Sequence, residues 1–330
     1  MACGDPCEHG ASRRHGRGFC GAVGAALVSG VCGAVEVSGV WAGSGVGVGG
    51  GAWMRGPAEG SVNAGAGGYA FDNGSVSAHR TLALLSQILD PFTVLRLSFA
   101  VRLWSARCWD IGAGNGSLAA ELTQEMGRDG VVYASDIDPR YVTEHWKVEV
   151  LRHDVRVDAP PAAPLDLIHG RLVFPHLPER DEIVGRLAGV VAPGGVVATT
   201  DFEPLSGRVV QARDRVSANR LFIAYQEAML AMLVGRGLDP MWVDRAPDVM
   251  RAAGLEVNTA VSAQSWRSGE AGCLLPAVMM TEYGDRLVAA GMAVDDLADL
   301  AQVLADPDTV ILGQRIHSTV GRRRETGRRR

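Results

Sequence analysis

A doubly wound α/β fold is what this 330-residue sequence predicts, and three observations predict it. Residues 108–116, Cys-Trp-Asp-Ile-Gly-Ala-Gly-Asn-Gly, run an acidic strand end straight into a glycine loop. A second acidic strand end, Val-Val-Tyr-Ala-Ser-Asp136, follows about 20 residues later, the distance at which such folds hold a nucleotide ribose. Strand and helix patterns then alternate as far as Asp201, as a parallel sheet requires. Strand, glycine turn, helix and strand together read as a nucleoside-cofactor site.

Each element has its own signal. Ordered chain is expected to begin near Tyr69-Ala-Phe71-Asp72-Asn73. A helix over 76–89 carries Leu82, Leu85 and Leu89 as one stripe and ends at Asp90-Pro91, because a residue before proline avoids the helical region. A second short helix over 92–104 leads into the first strand at Arg107. Over 117–126, Leu118, Leu122 and Met126 share a helical face and Gly127 is placed to stop it. Residues 148–154 read as a third strand ending in Asp154, and 165–169 as a fourth, followed by a turn carrying Arg171. A Pro193-Gly194-Gly195 turn introduces the fifth strand, which ends at Asp201. Beyond Pro204, Ala218, Leu221, Phe222, Tyr225, Met229, Met232 and Leu233 recur at helical spacing, a stripe read as core. A helix with Pro247 in its first turn and Gly254 as its cap feeds a strand over 256–261. Helices over 273–290 and 294–304 follow, and 310–320 would close the sheet.

The loop selects among cofactors. A dinucleotide fold wants Gly-x-Gly-x-x-Gly, so that pyrophosphate meets bare backbone at a helix N-terminus. Here the spacing is Gly112-x-Gly114-x-Gly116, preceded by Asp110. A carboxylate there repels pyrophosphate and suits a cationic ligand bearing an ammonium and a sulfonium. The pattern resembles motif I of the class I S-adenosylmethionine-dependent methyltransferases. That resemblance implies a seven-stranded Rossmann-like methyltransferase sheet, with N-terminal helices, a helical C-terminal insertion and an antiparallel last strand. It also implies that Gly112, Gly114 and Gly116 let the backbone pass under the cofactor, with Asp110 near its amino acid end. By the same resemblance Asp136 takes the ribose hydroxyls, Ile137 covers the adenine, and Asp154 bonds the adenine amino group. Residues 69–322 are similar to a subgroup of small-molecule methyltransferases from high-GC bacteria, through Tyr69-x-Phe-Asp-Asn73, His169-x-Arg-Leu172, His176-Leu-Pro-Glu-Arg180 and Gly321-Arg-Arg323. Two departures bear on the substrate: Thr200-Asp201 where that group has two acids, and Val196 where it has Trp.

Composition bounds the rest. Hydrophobic content of 47% and charged content of 21% are those of a globular protein with a full core. Net charge is −5, and six arginines against Glu325 in residues 322–330 make the body more acidic still, which argues against a nucleic-acid partner. Residues 1–60 are rich in Gly, Ala and Val without helical period, and are expected to be disordered, with Met54 as a plausible start. Residues 69–205 are expected to form the cofactor-binding core, 206–321 a helical substrate-covering region with the last strands, and 322–330 a basic tail. Cys3-x-x-x-Cys7 has no second close pair to complete a metal site, so no metal is expected.

Ligands of open α/β sheets sit beyond the carboxyl ends of the strands, which brings His169 and Arg171 after strand four, and Asp201 and Glu203 after strand five, near the transferred methyl group. His169 is the first candidate for a base, because imidazole titrates near neutral pH, and it is also counted with Arg171 among the cofactor's neighbours. Asp201 could orient a substrate hydroxyl. His176 is read as structural. Tyr69, Phe71, Asp72 and Asn73 are candidates for a lid. The resulting expectation is transfer of a methyl group from S-adenosyl-L-methionine to an O or N atom of a small-molecule acceptor in specialised metabolism. A cytoplasmic setting goes with it, without a nucleic-acid or membrane partner and with room for a homodimer. The alternative is a binding or scaffold protein that keeps the fold without catalysis.

Overall fold

The computed structural model describes residues 78–325. The expectations for residues 1–60, for the lid candidates Tyr69, Phe71, Asp72 and Asn73, and for the tail beyond Glu325 lie outside the described residues. The described chain opens with α1 (Ala78–Ala100), β1 (Arg107–Ile111), α2 (Ser117–Gln124) and β2 (Val131–Asp136). Next come β3 (Val148–Arg152), β4 (Leu165–Arg171), α3 (Arg180–Val190), β5 (Val191–Phe202) and β6 (Arg208–Gln211). The remainder is α4 (Arg215–Val234), α5 (Trp242–Ala252), β7 (Glu256–Ser262), β8 (Ser265–Arg267), α6 (Ala271–Ala289), α7 (Val294–Ala305), β9 (Val310–Leu312) and β10 (Ile316–Arg322).

Seven strands form one sheet in the order β3-β2-β1-β4-β5-β10-β7. Strands β1 to β5 pair in parallel, and β10 inserts antiparallel between β5 and β7. The order reverses beside β1, so a crevice opens at the carboxyl ends of β1 and β4, where a doubly wound sheet binds its ligand. Both faces are covered, which explains the near-continuous apolar strands. Alternate residues go to opposite sides. Cys108, Leu167, Val196 and Ala198 pack under α1 and α2 with Leu97, Leu118 and Leu122. Trp109, Ile111, Ile168 and Val197 pack under α3 and α5 with Ile183, Leu187 and Met250.

A third cluster lies off the sheet. The first half of α1, then α4, α6 and α7, enclose it with a small antiparallel sheet of order β6-β9-β8. That sheet has no counterpart among the sequence expectations, and the expected closing strand over 310–320 is two strands. β9 belongs to the small sheet, and β10 closes the large one.

Two proline positions correct the sequence reading. α1 is a single helix through Pro91, not two. Proline there forfeits one backbone hydrogen bond. Burial on either side of it, with Leu84, Ile88 and Leu89 before and Thr93 and Leu97 after, outweighs that loss. Asp90 also pairs with Arg171 of β4. Likewise α5 starts at Trp242, and Pro247 lies in its interior. The wholly buried Trp242, its ring tilted against Phe174 with centroids 5.8 Å apart, anchors the helix a turn earlier than its proline suggests.

Candidate active site

The crevice is built from the glycine loop. Gly112, Gly114 and Gly116 all have positive φ, at 66°, 59° and 76°, which L side chains rarely adopt. At Gly112 a Cβ would also lie 2.3 Å from Val173 Cγ2, so only glycine lets β1 turn so close to the segment after β4. Asp136 fixes the loop from the neighbouring strand. Its Oδ2 accepts from the Gly114 N–H at 3.1 Å and its Oδ1 from the Asp138 N–H at 2.9 Å. Burial pushes the Asp136 carboxyl above its ordinary value, against the pull of these two backbone donors.

A cavity of about 140 Å³ opens over the loop. Of the residues expected at the cofactor, Gly112, Gly114, Asp136, Ile137, Asp154 and Arg171 line it. Asp154 is gripped by the Arg156 guanidinium, which holds its carboxyl below the usual range. Arg171 is the last residue of β4, not part of a turn, and its guanidinium is paired with Asp90 of α1 and reaches Ser117 Oγ at 3.4 Å. Gly116 is not among the lining residues, and a Cβ there would lie 2.9 Å from Val142 Cγ1.

Four of the expected site residues are elsewhere. His169 has no exposed surface and lies within β4, with Nδ1 donating to Asp110 Oδ1 at 3.2 Å and Nε2 accepting from the Thr200 hydroxyl at 3.2 Å. Neither His169 nor Asp110 is among the residues lining this cavity or its neighbour beneath α1, and the Asp110 carboxylate, at the end of β1 before the loop, faces His169. Asp201 is sealed under α5, accepting on Oδ2 from Thr199 Oγ1 and, at 3.1 Å, from Trp242 Nε1. Burial raises its carboxyl to about 7. Glu203 is tied to Arg315 and, at 2.7 Å, to His317, on the outer end of the β5–β10 pair.

His176, read as structural, stands instead where two cavities meet. A second cavity of about 220 Å³ lies beneath α1, between α4, α6 and the small sheet. It shares Leu82, Leu85, Leu172 and His176 with the first. The turn carrying His176 is held by Arg180, whose Nε donates to the Phe174 carbonyl at 3.0 Å while a terminal nitrogen reaches the Pro175 carbonyl at 3.2 Å. Arg180 also pairs with Asp239 at 3.2 Å. Burial, reinforced by the Arg180 charge, lowers the His176 imidazole to about 4, so it is neutral at neutral pH. The stripe Phe222, Tyr225, Met229 and Leu233, expected as plain core, forms one wall of this second cavity. The signal for His176 was its place a few residues past β4; the signal for the wall was the polarizable, aromatic make-up of the stripe.

The first cavity fits S-adenosylmethionine. Bare backbone at Gly112 and Gly114 and the carboxylates of Asp136 and Asp154 face a space otherwise walled by Leu82, Ile137 and Val173. Carboxylates among the lining residues suit the hydroxyl and amino donors of a nucleoside and the net positive charge of a sulfonium ligand.

Comparison with known proteins agrees. Residues 85–243 match a family model described as a methyltransferase domain. No curated protein matches the chain. Among solved structures, the chain is similar to the Haemonchus contortus phosphoethanolamine N-methyltransferase 2, at 12% identity over 77% of this chain and 59% of that one, TM-score 0.48. It is also similar to the YcgJ protein of Bacillus subtilis, at 14% over 75% and 99%, TM-score 0.43. A third is the precorrin-6y C5,15-methyltransferase of Geobacter metallireducens, at 11% over 70% and 86%, TM-score 0.41. These likenesses are distant, and the strand order with its antiparallel β10 defines the fold without them. Residues 85–243 thus match a methyltransferase domain, within a seven-stranded Rossmann-like sheet whose crevice suits S-adenosylmethionine as the cofactor.

Proposed function

We propose that the chain transfers the methyl group to an O or N atom of a small molecule held in the second cavity, as a small-molecule methyltransferase of the high-GC bacterial kind serving specialised metabolism. The observation that carries this reading is the junction: the acceptor-sized cavity adjoins the cofactor cavity through Leu82, Leu85, Leu172 and His176. A cytoplasmic setting, no nucleic-acid or membrane partner, and a homodimer belong to the same reading.

When bound, S-adenosylmethionine supplies a methyl carbon on a positively charged sulfur, open to in-line attack. The protein's part is chiefly alignment and exclusion of water, together worth several kcal/mol. Asp136 would hold the ribose, Ile137 the adenine face and Asp154 its amino group. Leu82, Leu85 and Leu172 keep the junction dry. His176 presents a neutral imidazole there. The junction residues would hold the acceptor's lone pair in line with the methyl carbon that the cofactor would supply, the sulfur keeping the electron pair of the bond it gives up. For a hydroxyl acceptor, whose proton becomes strongly acidic as its oxygen is alkylated, that proton would pass to His176 and then to solvent. A weak base is sufficient at that stage.

Titration of S-adenosylhomocysteine into the full chain, with NAD as the control, tests the cofactor half. Micromolar binding of the first, and none of the second, is the expected result. Replacement of His176 by Gln should leave that binding within about twofold while lowering turnover of a hydroxyl acceptor roughly 10²-fold. Unchanged turnover would remove His176 from the reaction. Cofactor binding without turnover of any acceptor would favour the scaffold reading, to which the sealed His169 and Asp201 lend support.

A further inference from the structure

Resting on the methyl-transfer reading, we propose that the acceptor is an uncharged molecule with an apolar, ring-sized body, anchored by Thr81 beside the junction. Three observations carry it. First, among the described residues the lining of the 220 Å³ cavity includes no lysine or arginine to neutralise a phosphate, sulfate or carboxylate. A charge brought into such a space loses its hydration without compensation. Second, the polar groups that do line it are mostly committed. Asp239 is matched by both Arg180 and Arg245. The Gln226 amide bonds the Gly207 backbone in both directions and the Phe222 carbonyl as well. Glu282 accepts the Tyr283 hydroxyl at 2.7 Å. Third, Thr81 is 8% exposed, lines this cavity, and its hydroxyl is buried with no hydrogen-bond partner among the described residues. Thr81 directly precedes Leu82, one of the four residues common to both cavities, which puts that hydroxyl within a residue of the junction.

The walls give the body its character. Trp242, Trp266, Phe222, Tyr225 and Met279 offer ring faces and a polarizable thioether, surfaces that favour a flat apolar body. Thr81 Oγ1 then meets a polar atom of the acceptor, a hydroxyl or carbonyl adjacent to the methylated position, and His176 takes the proton of the methylated hydroxyl.

A matched series separates the acceptor's charge from its shape: naphthol, naphthyl phosphate and naphthylmethylamine, each titrated into the full chain saturated with S-adenosylhomocysteine. Quenching of tryptophan fluorescence reads binding, since Trp242 and Trp266 line the cavity. Naphthol should bind at least about tenfold more tightly than either charged analogue. Thr81→Val, equal in shape, should weaken naphthol about five- to tenfold and leave S-adenosylhomocysteine binding unchanged. Met229→Arg, at a half-buried position of the wall, should invert the order in favour of naphthyl phosphate. Equal or tighter binding of the phosphate or the amine to the unaltered chain, or no binding of any of the three while S-adenosylhomocysteine binds, overturns the proposed acceptor class and spares methyl transfer. Naphthol binding in a chain that does not bind S-adenosylhomocysteine overturns the methyl-transfer reading instead.

Discussion

Replacing Gly112 by alanine puts a methyl group where the backbone has φ of 66° and where Val173 Cγ2 would be 2.3 Å away. Two costs follow. Holding an L residue in the left-handed region costs about 1–2 kcal/mol. Restoring a normal carbon contact requires the Val173 side chain to move by more than 1 Å, about the extent that forces it off its rotamer, for about 0.5–1.5 kcal/mol more. The sum, about 1.5–3.5 kcal/mol, corresponds to a fall in melting temperature of roughly 3–14 °C for a domain of this size. Val173 also lines the cofactor cavity, so its displacement narrows the space and should weaken S-adenosylhomocysteine by more than about tenfold. Gly185→Ala is the internal control of opposite sign. Gly185 sits inside α3 with nothing within 4 Å of where an alanine methyl would stand, so alanine there should stabilise by about 0.5–1 kcal/mol without touching the cofactor. Calorimetric melting and titration of both variants decide the matter. A Gly112→Ala protein that melts with the parent and binds S-adenosylhomocysteine as well would refute the steric reasoning.

Three further outcomes are expected. In Asp136→Asn a single oxygen must serve both the Gly114 and Asp138 N–H groups, so S-adenosylhomocysteine binding measured by calorimetry should weaken about 10–100-fold. Asp201, with a folded-state carboxyl near 7 against 3.8 unfolded, makes the folded form the stronger proton binder between those values. Stability it contributes is therefore present at low pH and lost as pH rises toward about 7; denaturant titrations at about pH 4 and pH 8 should show Asp201→Asn gaining on the parent by at most on the order of 4 kcal/mol. Asp90→Ala removes the carboxylate that faces the Arg171 guanidinium in a largely buried position and should cost on the order of 3 kcal/mol, most of it recovered by adding Arg171→Met, as read from denaturant midpoints.

What was legible in the sequence was what short-range geometry dictates. Three glycines needing positive φ and the acid at the end of β2 identify the cofactor half from their spacing alone. The acceptor half is not legible in the same way because strand ends depend on distant partners. β4 runs two residues past His169, carried by pairing of Gly170 and Arg171 with Thr199 and Thr200. That extension withdraws His169 into the sheet and brings Leu172, Val173 and His176 to the crevice in its place. β5 extends in the same way to Phe202, which closes Asp201 beneath Trp242. Strands β6, β8 and β9 have three or four residues each, too short for alternation to register. Local rules break α1 at Pro91, whereas burial on both flanks keeps it whole.

The small sheet has a consequence for how this molecule could be altered. Its strands are drawn from three separate stretches of chain: β6 follows β5, β8 follows β7, and β9 precedes β10, while β5, β7 and β10 are neighbours in the large sheet. The roof over the acceptor is thus stitched to the floor by three short covalent seams, between 202 and 208, 262 and 265, and 312 and 316. No single excision removes it and no one hinge lets it swing. Reshaping the second cavity is therefore a matter of exchanging side chains within the roof, and denaturant unfolding followed at roof and floor should give one transition.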